Sequence, residues 1–393
     1  MSTSSPIPTC PVCAGPAAEP FLRIPDVPVH CNVLWSSAED AVSAPRGDLD
    51  LVFCRTCGHV YNVAFDPART TYGASYENSL HHSPAFQAYA RELVDSLVAR
   101  YDLHDRDVVE IGAGQGDFLA MLCAAGNNRG TGFDPSYVGM APPQPGITLV
   151  PEFYDARFAD HPVDVVVCRH VLEHIERSGD FLAMVRRVIG DRPDVLAVFE
   201  VPNAEWTFRD GGIWDLIYEH CGYFSPASLR YVFTSRGFRV ERVADVFGGQ
   251  FLVIEARPAT AGAAAADRDG AAVDALAAGV ETFARTYAEK IAEWDARLTQ
   301  LRSEGRSAVI WGAGSKGVTF LNVVPSASVV DRAVDLNPRK HGMYVSGSGQ
   351  PIVSPEQLVD RPPDVVVVMN PNYRDEVAGT LLQLGIDAEV LVP

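Results

Sequence analysis

Short apolar runs and helically spaced apolar stretches alternate along most of this chain. Residues 86–101 carry apolar side chains three and four apart, which predicts a helix. A continuous apolar run at 108–111 then meets Gly112, Gly114 and Gly116. That predicts a buried strand entering a glycine turn, followed by a helix to about residue 125. Further strands are predicted at 131–133, 147–150, 163–168 and 195–201, with helical stretches between most of them. Strands alternating with helices predict a parallel, doubly wound sheet. The runs 238–246 and 250–256 flank Gly248 and Gly249 and predict an antiparallel pair, with a helix at 226–236 ahead of them.

The pattern changes on either side of this region. Residues 1–85 hold short β-like runs at 27–33 and 49–53, with turn residues at 44–47. Residues 258–277 are rich in alanine and predict a linker passing into a long helix, about 272–304, with Phe283, Tyr287, Ile291 and Trp294 at helical spacing. A strand at 308–311 then enters a second glycine turn, Gly312 to Gly317, and further strands are predicted at 329–335, 365–369 and 388–392. The expected fold class is α/β, in three units. They are a small N-terminal domain (1–85), a central Rossmann-like domain (86–257), and a linker helix with a second, smaller Rossmann-like domain (258–393).

Composition narrows the function. The chain has 393 residues, enough for two or three domains at roughly 150 residues each. Its formal net charge of −18 argues against nucleic acid, which requires a cationic face. No apolar run reaches the roughly 20 residues that cross a bilayer, so no membrane partner is expected. The N-terminus has neither the basic nor the apolar segment of a secretory signal, so a reducing cytoplasm is expected. The eight cysteines then read as thiols or metal ligands rather than disulfides.

Four of those cysteines form two Cys-x-x-Cys pairs, Cys10 with Cys13 and Cys54 with Cys57. Two such knuckles complete a tetrahedral Zn²⁺ site with no open position, hence a structural one. The first glycine turn follows Glu110 and reads G-x-G-x-G, unlike the usual dinucleotide pattern. His170 and His174 stand four apart without the H-E-x-x-H pattern of a zinc enzyme, and a structural or substrate-lining role is expected for them. Tyr218, Glu219 and His220 are consecutive and offer a phenol donor, a carboxylate and a base, a set suited to removing a proton beside a carbonyl. The alternative is a polar turn ahead of the next helix. The second turn puts Lys316 and backbone amides at a helix N-terminus, suited to a diphosphate, with Asp335 ending the next strand. Asn370 and Asn372 join Lys316 as candidate substrate-binding residues, and Arg169, Arg339 and Lys340 are further local cations.

The Glu110-to-Gly116 stretch resembles motif I of class I S-adenosylmethionine (SAM) methyltransferases. That resemblance implies that Glu110, Gly112, Gly114 and Gly116 cradle SAM and that Asp134 binds its ribose hydroxyls. It also implies that the loop carrying Arg169 and His170 borders the cofactor. The N-terminal cysteine pairs, the central glycine turn, the Glu-His-x-x-Tyr-Phe-Ser run at 219–225 and the C-terminal Gly-Ala-x-x-Lys-Gly unit occur together in one family. The chain resembles, over nearly its whole length, the three-domain SAM-dependent C-methyltransferases of nucleotide-linked deoxysugars. The resemblance implies methyl transfer to C3 of a TDP-bound 4-keto-2,6-dideoxyhexose in natural-product biosynthesis. His220 would be the general base, Glu219 and Tyr218 its neighbours, and Tyr76 (or Tyr72) would reach the pocket from the N-terminal domain, with Tyr223 beside the substrate.

Two departures stand out. Members of that family show Tyr-His-Glu-His where this chain reads Tyr218-Glu219-His220, which leaves the place of Tyr218 open. The family's Pro-Gly-Thr-His-Ile-Pro-Ile stretch is Ser346-Gly-Ser-Gly-Gln-Pro351-Ile here, without its histidine. Three other functions stay in view. One is a bifunctional enzyme that also reduces the 4-ketone with NADPH, another an O- or N-methyltransferase, the third a non-catalytic nucleotide-sugar binder. The oligomeric state is open.

Overall fold

The computed structural model describes residues 9–70, 73, 75–139, 144–260 and 266–393. Three sheets organise them. The first is antiparallel and begins with β1 (Leu22–Pro28), β2 (Arg46–Phe53) and β3 (Val60–Asn62). Helix α1 (Ala38–Val42) lies between β1 and β2. The sequence pattern placed the first strand at 27–33, but it starts earlier. Leu22, Ile24 and Val27 face inward, and a bulge with Asp26 at φ 57 shifts the register between Ile24 and Val27. Pro28 has no N–H to donate and the strand ends there.

The second sheet contains β4 (Asp107–Ile111), β5 (Arg129–Phe133), β6 (Ile147–Val150), β7 (Val165–Arg169), β8 (Leu196–Pro202), β10 (Phe238–Val246) and β11 (Phe251–Pro258). Their order is β10-β11-β8-β7-β4-β5-β6. The five from β4 to β8 are parallel, and β11 runs antiparallel to both of its neighbours. Every residue of β7 is buried, as a strand covered on both faces requires. The cover comes from α2 (Pro84–Tyr101), α3 (Asp117–Gly126), α4 (Ser178–Ile189) and α6 (Pro226–Ser235).

Between β8 and α6 the chain leaves this sheet. It forms α5 (Ala204–Asp210) and then β9 (Gly222–Tyr223), which pairs with β3 and completes the first sheet in the order β1-β2-β3-β9. One hydrophobic cluster runs from Leu49 in the first sheet through Phe208 and Trp214 to Phe320 and Val367 further along the chain. The stretch carrying His220 is therefore clamped between the first sheet and the third.

The third sheet is wholly parallel: β14 (Ile352–Val353), β13 (Val330–Val334), β12 (Ala308–Trp311), β15 (Val365–Val368) and β16 (Glu389–Leu391), in that order. Helices α7 (Gly270–Ser303), α8 (Ser315–Val323) and α9 (Arg374–Gln383) accompany it. The alanine-rich stretch expected as a linker to residue 277 is helical from Gly270. Alanine is the strongest helix former, and the Asp269 side chain caps the helix by accepting from the Ala272 N–H. Periodicity misses such a start because alanine carries little apolar contrast. Among the described residues no helix is long and apolar enough to cross a membrane. The glycine turns that leave β4 and β12 both line one cavity of about 330 Å³.

Candidate active site

The first wall of the cavity is the turn after β4. Gly112, Gly114 and Gly116 all have positive φ, at 74°, 55° and 84°, so a side chain at any of them would strain the backbone. At Gly112 the fold adds a second reason, since a Cβ would stand 2.2 Å from Val171 Cγ2. At Gly114 nothing lies within 4 Å of that position, which leaves room for a ligand. Gly116 caps α3, so the amides of the turn point toward the cavity at a helix N-terminus. Asp134, just past β5, accepts from Gly114 N at 2.8 Å and from Ser136 N at 2.8 Å. Glu110 is buried, and burial pushes its pKa up to about 8 against the opposing pull of Arg169.

The second wall follows β7. Arg169 is buried, ion-paired with Glu200 at 3.0 Å, and stacked over the Phe118 ring at 4.1 Å. His170 adopts φ 54° and sets Nε2 2.8 Å from Glu200 Oε1 and Nδ1 3.6 Å from Glu173. Burial works against its charge, but Glu200 and Glu173 prevail and raise its pKa to about 9. Glu200 is desolvated as well, yet Arg169 and His170 hold it down at about 2. Tyr89 also donates to Glu200, at 2.8 Å. Arg169 is thus committed to Glu200 and is not free to meet an incoming anion.

His220 faces the same space. Its ring stands 4.9 Å from that of His174, nearly perpendicular. Its Nδ1 is buried and has no hydrogen-bond partner. Burial, and then the neighbouring His174, His170 and Lys316, hold its pKa well below the ordinary histidine value. The ring is therefore neutral at pH 7 and able to take a proton. Donor atoms of Glu173, His174 and His220 lie within 4.8 Å of one another. Both Glu173 oxygens are buried without hydrogen-bond partners. Sequence reasoning did not single out Glu173, although it stands beside His174 in the loop already under scrutiny.

Three other members of the predicted set turn elsewhere. Tyr218 faces away from the cavity: its hydroxyl accepts from Asp66 N at 2.8 Å and its ring lies against Phe65. Ile217, one residue earlier, lines the cavity instead. Glu219 is fully buried, accepts from Cys31 N at 2.8 Å and lies 3.6 Å from His30. It ties the His220 stretch to the first sheet. Tyr223 belongs to β9, and its hydroxyl donates to Ile217 O. Tyr76 does line the cavity, bridged to Val33. Tyr72 lies outside the described residues.

The far wall comes from the third sheet. Lys316 pairs with Asp215 and lies 5.4 Å from the centre of the Trp206 ring. Asn370 lines the cavity and exchanges two hydrogen bonds with Gln250, at 2.9 and 3.0 Å. Asn372 does not line it, because its amide donates to Phe247 O and fastens the third sheet to the second. Arg339 pairs with Glu77, and Lys340 lies 3.4 Å from Asp335. Every cation here already has a carboxylate partner. The NADPH expectation gains no support, since Asp134 and Asp335 put a carboxylate after the second strand of each glycine unit, where a 2′-phosphate would be repelled.

Away from the cavity, the four knuckle cysteines converge. Cys10 and Cys57 sulfurs are 3.7 Å apart, those of Cys13 and Cys54 3.4 Å, and all four lie within 4.8 Å. Each knuckle is a tight turn, closed by Ala14 N on Cys10 O and by Gly58 N on Cys54 O, both at 2.8 Å. Four converging sulfurs fit a tetrahedral, closed Zn²⁺ site.

Comparison with known proteins follows the same division. Residues 85–243 match the family model of a methyltransferase domain, and residues 253–386 that of a C-methyltransferase C-terminal domain. The C-methyltransferase NovU of Streptomyces niveus is 29% identical over 399 residues, covering 95% of this chain and 91% of NovU. Among solved structures, the N,N-8-amino-8-demethyl-D-riboflavin dimethyltransferase RosA of Streptomyces davawensis is 20% identical with a TM-score of 0.34. The match covers 44% of this chain and 56% of RosA. Magnesium protoporphyrin IX methyltransferase ChlM of Synechocystis PCC 6803, with bound SAH, is 20% identical with a TM-score of 0.33, covering 44% of this chain and 84% of ChlM. Overlaps that partial add nothing to what the matched models establish.

Proposed function

We propose that this chain, which belongs to the SAM-dependent C-methyltransferases, methylates C3 of a TDP-linked 4-keto-2,6-dideoxyhexose, with His220 as the base. One observation carries the reading: a half-buried imidazole, its Nδ1 without a hydrogen-bond partner, in the cavity that the first glycine turn also lines. The residues of that turn fit SAM, with Asp134 at the ribose and open space above Gly114. Bound there, SAM supplies a methyl group on a sulfonium leaving group.

A ketone at C4 acidifies the C3 proton by delocalising the charge onto O4. An imidazole with a reference pKa near 6.5 is a weak base for such a carbon, so donors must already be in place at O4. Tyr76 and His174, both in the cavity lining, are proposed for that task. His220 takes the C3 proton, leaving a carbon nucleophile that would accept the methyl group supplied by SAM. Lys316 and Asn370 on the far wall are proposed to meet the nucleotide sugar. Glu219 and Tyr218 act as anchors that hold His220 in register, not as groups that touch the sugar. Cys10, Cys13, Cys54 and Cys57 are proposed to hold a structural Zn²⁺ that shapes the first sheet.

The test is C3 hydrogen exchange. In D₂O without SAM, a 4-keto TDP-sugar is expected to take deuterium at C3 only when enzyme is present. Methyl transfer to oxygen or nitrogen with no exchange would reject the reading.

A further inference from the structure

The His220 stretch and the loop after β7 meet across a narrow gap. Leu172–His174 forms a single 3₁₀ turn in that loop, and the Cys221 thiol, next to His220, donates to Glu173 O at 3.4 Å. β9 begins at Gly222 and is held by β3, so both sides of the gap are fixed by the fold. Glu173, His174 and His220 all line the cavity. His170, four residues before His174 in sequence, is not part of the group, because its Nε2 is turned to Glu200.

The Glu173 side chain is only 2% exposed, and neither of its oxygens has a hydrogen-bond partner. Among the described residues its ion-pair neighbour is His170 Nδ1, 3.6 Å from Oε1, which is too long for a hydrogen bond. A carboxylate buried in this way is costly to the fold unless something completes it. His220 Nδ1 is a second buried atom with no hydrogen-bond partner, and the His174 ring stands 4.9 Å from the His220 ring. One donor atom from each of the three residues lies within 4.8 Å of the others. A point central to them is then no more than about 2.8 Å from each, and Zn²⁺ bonds of roughly 2.0–2.2 Å need only small side-chain shifts to close. Such a gap suits an ion and is too small for a sugar hydroxyl. Two imidazoles and one carboxylate favour Zn²⁺ and its borderline neighbours, whereas Mg²⁺ and Ca²⁺ take oxygen ligands.

We propose that Glu173, His174 and His220 form a second metal site, separate from the four cysteines, which binds one Zn²⁺-class divalent ion and thereby switches off proton removal at C3. A neutral imidazole has one lone pair. Bound to the ion through that nitrogen and protonated on the other, His220 can take no further proton. His174, proposed above as a donor at O4, is withdrawn by the same ion. Occupied and catalytic states are therefore mutually exclusive. The site rests on the geometry alone, and its effect on turnover rests on His220 being the base.

The test starts from the full chain dialysed to one zinc per chain, the ion held by the cysteines. Calorimetric titration with Zn²⁺ should show one further equivalent, and Co²⁺ in its place should give the absorption of a nitrogen–oxygen site without thiolate charge transfer. Glu173→Gln and His174→Asn should each weaken that second ion tenfold or more and leave the first in place by elemental analysis. Tm and S-adenosylhomocysteine affinity report folding separately, and the half-buried His174 keeps the test available if Glu173→Gln is unstable. Deuterium entry at C3 of a 4-keto TDP-sugar should fall at least tenfold when the second ion is bound and recover when a chelator removes it. No second equivalent, or a second equivalent held as tightly by both variants, would overturn the site. Full C3 exchange with the second ion bound would overturn the switch. An enzyme that binds the ion yet never exchanges C3 would count against His220 as the base and leave the metal site standing.

Discussion

Replacing His220 by asparagine tests the base with little structural disturbance. The two side chains are polar and of related size, and the imidazole Nδ1 already lacks a hydrogen-bond partner. Asparagine keeps a polar side chain at this half-buried, cavity-facing position, and stability should change by about 1 kcal/mol or less. Loss of a positioned general base typically costs about 10²- to 10⁴-fold, equivalent to about 2.7–5.4 kcal/mol in the barrier. The loss should appear in kcat, since His220 is proposed to act on the C3 proton and not on SAM. Two assays are needed: conversion of SAM with a 4-keto TDP-sugar, and deuterium entry at C3 without SAM. Both should fall together, with Tm and S-adenosylhomocysteine affinity unchanged. A folded His220→Asn protein that exchanges C3 hydrogen at the wild-type rate would refute the assignment.

Other expectations follow from the same geometry. With the pKa of His220 held well below 6.5, the acid limb of kcat/KM should lie below pH 6.5; a limb above pH 7 would contradict a neutral resting imidazole. His170 titrates the other way. Its folded pKa of about 9 exceeds the unfolded value near 6.5, so its stabilisation is complete below pH 6.5 and is lost as pH rises through 9. Urea unfolding at pH 7 and pH 10 should show that loss in the wild type and not in His170→Asn. Glu200→Gln removes the charge shared by Arg169 and His170, and should cost about 3–5 kcal/mol by leaving a buried cation unpaired. Denaturant midpoints that barely move would show that Arg169 finds another partner. Cys54→Ser should abolish the bound zinc measured by elemental analysis and lower Tm; retained stoichiometric zinc would remove Cys54 from the ligand set.

The strands were legible wherever burial on both faces made them continuous apolar runs, as at Val165–Arg169, Ala308–Trp311 and Val365–Val368. The glycine turns were legible because the backbone there demands them. The orientation of the His220 stretch was not. Residues 217–220 lie in irregular chain, where no period tells which side chain faces which way. Pairing of β9 with β3, Val60 with Tyr223 and Tyr61 with Gly222, decides that Ile217 and His220 face the cavity while Tyr218 and Glu219 anchor behind it. Such a non-local contact leaves no local signature. The same holds for Glu173, whose importance lies in what surrounds it. The net charge of −18 is also sharpened, because each cation at the cavity is already paired with a carboxylate. Substrate binding must then draw on backbone amides and neutral donors beside the Asp215-paired Lys316, and moderate salt should leave it largely intact.

The most direct measurement is the position of the transferred methyl group. Enzyme, methyl-¹³C SAM and a panel of 4-keto TDP-sugars should give a product whose labelled methyl is bonded to C3, beside the ketone, by carbon–proton correlation NMR. A label on oxygen or nitrogen would contradict carbon methylation through His220. So would a folded, SAM-binding enzyme that labels none of these sugars.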